Sequence, residues 1–178
     1  MLLRKQIFIF VLLCLVGTSG CSGKDSPSRV PSDFVFVMDV RSPASDLAAS
    51  VDVNIRIDAK GKGQFEYYDN GGTIRYDLNE IVTYDASQVV KSGKFKLTDE
   101  KLEQVWDILN ENHFFELEED YQIAIGHSYA FIIVEANNER HIVDNIGLEV
   151  PEIRAIVESI GTLLPQDISF EYGEGVTP

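Results

Sequence analysis

The chain has 178 residues, 44% hydrophobic and 25% charged, which fits one globular domain. Fifteen Lys and Arg stand against 29 Asp and Glu, a net charge of −14, and so acidic a surface repels phosphate backbones and excludes nucleic acid as an expected partner. The only two cysteines, Cys14 and Cys21, lie near the N-terminus, so the rest of the chain has no disulfide framework, thiolate metal site or CxxC redox pair.

Arg4 and Lys5 give the N-terminus a basic start. Ile7 to Val16 is a ten-residue apolar run, right for a signal-peptide core and too short to cross a bilayer. Gly17, Thr18, Ser19 and Gly20 are small, and Cys21 follows directly. The arrangement resembles bacterial-type lipoprotein signals, in which a small residue precedes a cysteine that becomes lipidated and N-terminal. Gly20 and Ser19 match that pattern; Thr18 stands where the family usually has leucine. The resemblance implies a signal peptide over 1–20, lipidation at Cys21, and an extracytoplasmic place in the cell envelope. The competing reading is ordinary cleavage after Ser19, with Gly17 and Ser19 as the small-residue pair. Without residues 1–20 the chain keeps 158 residues, with 13 basic against 29 acidic and a net charge of −16. A domain of that size buries roughly two-thirds of its unfolded surface, enough for a core without disulfides or metals.

Cys21 to Ser32 is the expected anchor and flexible tether, since Ser22 to Ser32 is rich in serine and holds two prolines. A single domain is expected over 33–172, with a loose tail over 173–178. Phe34 to Val40 is strand-like. Val51, Val53, Ile55 and Ile57 alternate with Asp52, Asn54, Arg56 and Asp58, the pattern of a strand with one buried and one wet face. Gly61 and Gly63 turn it into a return strand through Phe65 and Tyr67. Ile74, Tyr76 and Leu78 form a third run, so a meander is expected. Ile81 to Tyr84 and Gln88 to Phe95 add one or two more strands, with Gly93 marking a bend or bulge.

The strongest local pattern spans Leu97 to Leu117. Leu102, Val105, Trp106 and Leu109 fall on one helical face, which Ile108 widens. Thr98 is the expected N-cap, Asp99 and Glu100 favour the first turn, and Leu97 with Leu102 has staple spacing. Asn110, Asn112 and His113 end the helix, and Phe114, Phe115 and Leu117 follow. Tyr121 to Ile125 reads as a short strand. Tyr129 to Ala136 holds the unbroken run Phe131 to Val134, which suggests a central strand covered on both faces, with the N-terminal strand or the tail as second cover. Asn137-Asn138 suits a tight hairpin turn into His141 to Asp144. Pro151 opens a second helix along Ile153, Ile156, Val157, Ile160 and Leu164, and Pro165 ends it. Ile168, Phe170 and Tyr172 alternate as an edge strand.

The chain has no GxSxG, P-loop, GxGxxG or HExxH motif. His113 reads as a helix-end residue. His127 and His141 share a hairpin region, where two partly exposed strand residues are the plainer reading. Glu116, Glu118, Glu119 and Asp120 are the best cation candidates, yet they lack the glycine and spacing of a calcium loop and read as a solvated acidic turn. No metal and no other cofactor is expected. Tyr68 breaks phase with Phe65 and Tyr67, so it is expected to face outward beside Glu66. Tyr68 and Glu66 are therefore the candidate binding surface.

The succession of meander, helix closing in Phe-Phe-x-Leu, hairpin and terminal helix resembles a family of small uncharacterised domains of bacterial lipoproteins. Leu97-Thr98, Trp106, Phe114-Phe115-x-Leu117, Tyr121 and Phe131 to Val134 carry the resemblance, over Val51 to Leu164. Members have a cysteine pair near the first strand that this chain lacks, so no role of that pair carries over. The expected fold is α+β: a mainly antiparallel sheet with two amphipathic helices packed on one face. Two functional readings follow. One is a non-catalytic binding or inhibitory module, a surface or periplasmic lipoprotein held to the membrane by its lipid alone, with a protein partner in the envelope. The other is an exported hydrolase with a dispersed acidic site.

Overall fold

The computed structural model describes residues 29–41, 51–69, 89–122, 129–146 and 150–170. The signal-like segment, Cys21, most of the tether, Ile74 to Leu78, Ile81 to Tyr84, His127 and the tail lie outside the described residues. The elements are β1 (Val35–Arg41), β2 (Val51–Asp58), β3 (Lys62–Asp69), β4 (Val89–Lys96), α1 (Asp99–Glu111), β5 (Asp120–Gln122), β6 (Tyr129–Ala136), β7 (Glu139–Ile146) and α2 (Pro151–Leu163). The strands form one sheet in the order β4-β3-β2-β1-β6-β7-β5. Every described pairing is antiparallel except the parallel contact of β5 with β7.

Helical period decides where the helices sit. Leu102, Val105 and Leu109 of α1 are buried, as are Ile153, Ile156, Val157 and Ile160 of α2. All seven join one core with Phe36, Met38, Val53, Ile55, Ile132 and Val134 of the sheet. Both helices therefore pack on one sheet face, the α+β architecture expected. Thr98 caps α1, its hydroxyl accepting from Lys101 N at 3.2 Å. Trp106 and Ile108 are only partly buried at the margin of that face.

Several expectations are corrected. β2 is not an outer strand: it lies between β3 and β1, and Asp52 on its supposedly wet face is buried. β1 does not cover β6 but pairs with it in the plane of the sheet. On the second face of β6, Tyr129, Phe131 and Ile133 cluster with Val37 of β1, and the tail expected as a cover lies outside the described residues. Gly93 is not a bulge. It pairs with Phe65 as Gly63 pairs with Phe95, and a Cβ on Gly93 would stand 2.6 Å from the Phe65 ring. The register moves instead between Tyr67 and Tyr68, leaving Val90 as the extra residue. Ile168 to Phe170 is not a strand. It is pinned by a side chain: the Tyr67 hydroxyl donates to Ser169 O at 2.9 Å and accepts from Ser169 N at 2.8 Å.

Both hairpin turns lie at one end of the sheet. Asn137 and Asn138 have φ of 56° and 63°, as a two-residue hairpin turn demands. The Asp33 carboxylate accepts from their backbone nitrogens at 3.0 and 2.6 Å. Asn138→Val is expected to cost about 1–2 kcal/mol in urea denaturation, because a β-branched residue resists this conformation. An unchanged midpoint would show that the turn does not need it. No helix among the described residues is long and apolar enough to cross a membrane.

Candidate functional site

Strand alternation sends a second set of side chains to the face without helices. β1 ends, β2 begins, β3 ends and β6 begins at the same end of that face, opposite the two hairpin turns. Polar residues gather there. Asp39 stands opposite Asn54, Asn54 opposite Glu66, and Asp52 opposite Tyr68. Asp39 is 1% exposed and Asp52 5%.

Arg41 holds the two carboxylates together. Its Nε lies 3.4 Å from Asp52 Oδ2 and 3.9 Å from Asp39 Oδ1. The guanidinium sits 5.0 Å from the centre of the Tyr129 ring, a cation–π distance. Asn54 Nδ2 donates to Asp39 Oδ2 over a long 3.4 Å. One guanidinium cannot neutralise two buried carboxylates. Burial pushes Asp39 up to about 7, against the pull of Arg41 and Asn54. Burial likewise raises Asp52 to about 6, again opposed by Arg41. Asp144 of β7, opposite Phe131, is raised by burial against the Tyr129 hydroxyl. The cluster therefore changes charge between mildly acidic and neutral pH, and perturbed groups of this kind mark candidate functional sites.

Of the residues singled out from sequence, Tyr68 and Glu66 belong to this cluster. Tyr68 does turn away from Phe65 and Tyr67 to lie beside Glu66, and its hydroxyl donates to Glu66 Oε2. It is not exposed, however: only 2% of it meets solvent, so it is no open platform. Burial, then the neighbouring Glu66, holds the Tyr68 phenol above its ordinary range. Asp39 and Asp52 escaped the sequence reading. The available sign was Asp39 itself, an acid inside the apolar run Phe34 to Val40. Asp52 carried no sign, because an acid alternating with valines reads as solvated.

The other candidates do not meet at this cluster. His113 has φ of 52°, and its backbone nitrogen, not its ring, satisfies Asn110 O at 3.1 Å. The His141 ring stands edge-on to Phe114 at 5.2 Å. Glu116, Glu118, Glu119 and Asp120 are exposed. Among the described residues no group of three or more His, Cys, Asp or Glu is arranged to hold a metal ion. A groove of about 450 Å³ lies between the helices, lined by Gln104, Asp107, Ile108 and Glu111 of α1 and by Glu158 and Thr162 of α2. It opens on the far side of the sheet from Asp39 and Asp52.

No protein-family model and no curated protein matches this chain.

Proposed function

We propose that the chain is an exported, lipid-anchored protein of the cell envelope whose domain is a binding or inhibitory module rather than a hydrolase. The observation that carries this reading is the order of Arg4-Lys5, a ten-residue apolar run, Ser19-Gly20 and then Cys21. Cys14 lies inside the apolar run, so Cys21 is the single thiol left to the exported chain, and lipidation gives it a purpose. The likeness of Trp106, Phe114-Phe115-x-Leu117 and Phe131 to Val134 to domains of bacterial lipoproteins points the same way. The binding half is supported by where acidity is perturbed. Asp39 and Asp52 are buried, whereas the helix-side groove lies on the opposite face. A hydrolytic pair would instead face its substrate across a cleft.

The test is fractionation of the native envelope. Two acyl chains at about 0.8 kcal/mol per buried CH₂ give near-permanent attachment, so the wild type is expected with membranes. Cys21→Ala is expected in the soluble exported fraction. Equal distribution of the two forms would overturn the anchor and favour cleavage after Ser19.

A further inference from the structure

On the helix-free face, the end opposite the carboxylate cluster is basic. β3 and β4 are antiparallel with Lys62 opposite Lys96 and Gln64 opposite Lys94, and β2 places Arg56 opposite Gln64. Alternation puts Lys62, Lys94, Lys96 and Arg56 on this one face, since Gly63 and Phe95 between them point to the helices. Lys60 joins them from the β2–β3 turn. The lysines are exposed and Arg56 is half-buried. Among the described residues none of the five is in an ion pair. Asp58, on the same face, is engaged by the backbone nitrogens of Lys60 and Lys62 at 2.8 and 2.9 Å, and Glu135, at the same end, pairs with Arg140. Five of the 13 basic residues outside the signal-like segment thus occupy one corner of a strongly acidic chain.

Folding alone does not favour this corner. Like charges directly opposite on neighbouring strands destabilise a sheet, and Lys62 faces Lys96. Lysines do blunt an exposed edge strand, which accounts for Lys94 and Lys96 on β4. That need does not reach Lys62 or Arg56, which lie inside the sheet.

The charge of the corner names its occupant. β1 begins at the same end of the sheet, where Val35 pairs with Asp58, and the chain leading into it runs along the helix side, where Arg29 forms an ion pair with Asp107 of α1. Seven residues lie between Cys21 and Arg29, eight Cα–Cα steps with a reach of at most about 28 Å. We infer that the Arg56, Lys60, Lys62, Lys94 and Lys96 corner docks on an anionic phospholipid surface, the membrane that carries the anchor. This rests on lipidation at Cys21. Repulsion from the acids elsewhere is screened beyond a Debye length of about 8–10 Å, so the local charge decides the contact. Docked this way, the domain turns the Asp39–Asp52 end away from the membrane.

The test uses the chain from residue 21 onward, which contains every described element, with Cys21→Ala to remove the anchor. Failure of the docking and failure of the lipidation are then separate results. The probe is sedimentation with phosphatidylcholine vesicles, with or without phosphatidylglycerol, at low and high salt. Binding to the phosphatidylglycerol vesicles alone, lost at high salt, is expected. Each basic residue at such a surface is worth roughly fivefold in partition, so Lys62→Glu/Lys94→Glu/Lys96→Glu should weaken binding by at least about tenfold. Arg154→Glu on α2 should leave it unchanged. Circular dichroism of the triple variant confirms that it is folded; if it is not, Lys62→Gln/Lys94→Gln replaces it, with a smaller loss in the same direction. No binding at low salt, equal binding to both vesicles, binding that survives charge reversal in a folded variant, or binding unchanged in the folded glutamine variant would each overturn the inference.

Discussion

Asp39→Asn is expected to stabilise the domain by as much as about 4 kcal/mol near pH 8 and by almost nothing near pH 4. The size follows from the environment. Asp39 is 1% exposed, and a carboxyl that titrates at about 7 rather than near 4 costs the fold on the order of 4 kcal/mol once ionised. The sign follows from proton linkage. Below about pH 4 the folded and unfolded chains both hold the proton, and the group contributes nothing. Between that range and 7 the unfolded chain has released it while the folded one keeps it, so stability falls as pH rises. Asp52, raised to about 6, acts in the same direction. Asp33 acts oppositely: the backbone nitrogens of Asn138 and Asn137 lower it, so its contribution is lost as pH falls through the low carboxylate range. Urea melts across pH 4 to 8, at roughly one-unit steps, check the claim. An Asp39→Asn curve with the same fall toward pH 8 as the wild type would show that Asp39 is not the group responsible.

The second large effect separates two adjacent phenylalanines. Phe114→Ala is expected to cost about 3–5 kcal/mol and Phe115→Ala no more than about 1 kcal/mol. The left-handed turn at His113 reverses the chain and drops Phe114 into the core, fully buried, where its ring stands edge-on to His141 at 5.2 Å. Phe115 points outward and is 37% exposed, touching Trp106 at 5.7 Å between ring centres. Equal losses from the two substitutions would contradict this placement. Trp106 belongs to the same argument. Its position on the helical face suggests a central core residue, yet it is half-buried, edge-on to Phe34 at 5.6 Å, and Val105 beside it is the residue fully enclosed.

These cases mark what one-dimensional pattern can and cannot carry. Period and punctuation found the helices, because Thr98, Pro151 and the apolar spacing act locally. They found the Asn137-Asn138 turn for the same reason. Strand neighbours are a long-range matter. Nothing in the alternation of Val51 to Asp58 says that β2 lies inside a seven-stranded sheet or that Asp52 is covered. The carboxylate cluster arises only when β1, β2 and β3 align Asp39, Asn54 and Glu66 in one row. Likewise the basic corner joins residues from β2, β3 and β4 that are up to 40 positions apart, so no local motif announces it. Tyr68 shows both sides. Its phase gave the correct face, but its neighbours, invisible in sequence, decided that it is buried.

Lipidation at Cys21 is the central proposal. The most direct measurement is the mass of the N-terminal peptide of the protein extracted from its native membrane. A chain beginning at Cys21, with a lipid bound through its sulfur, is the expected result. An unmodified peptide beginning at Gly20 would contradict it.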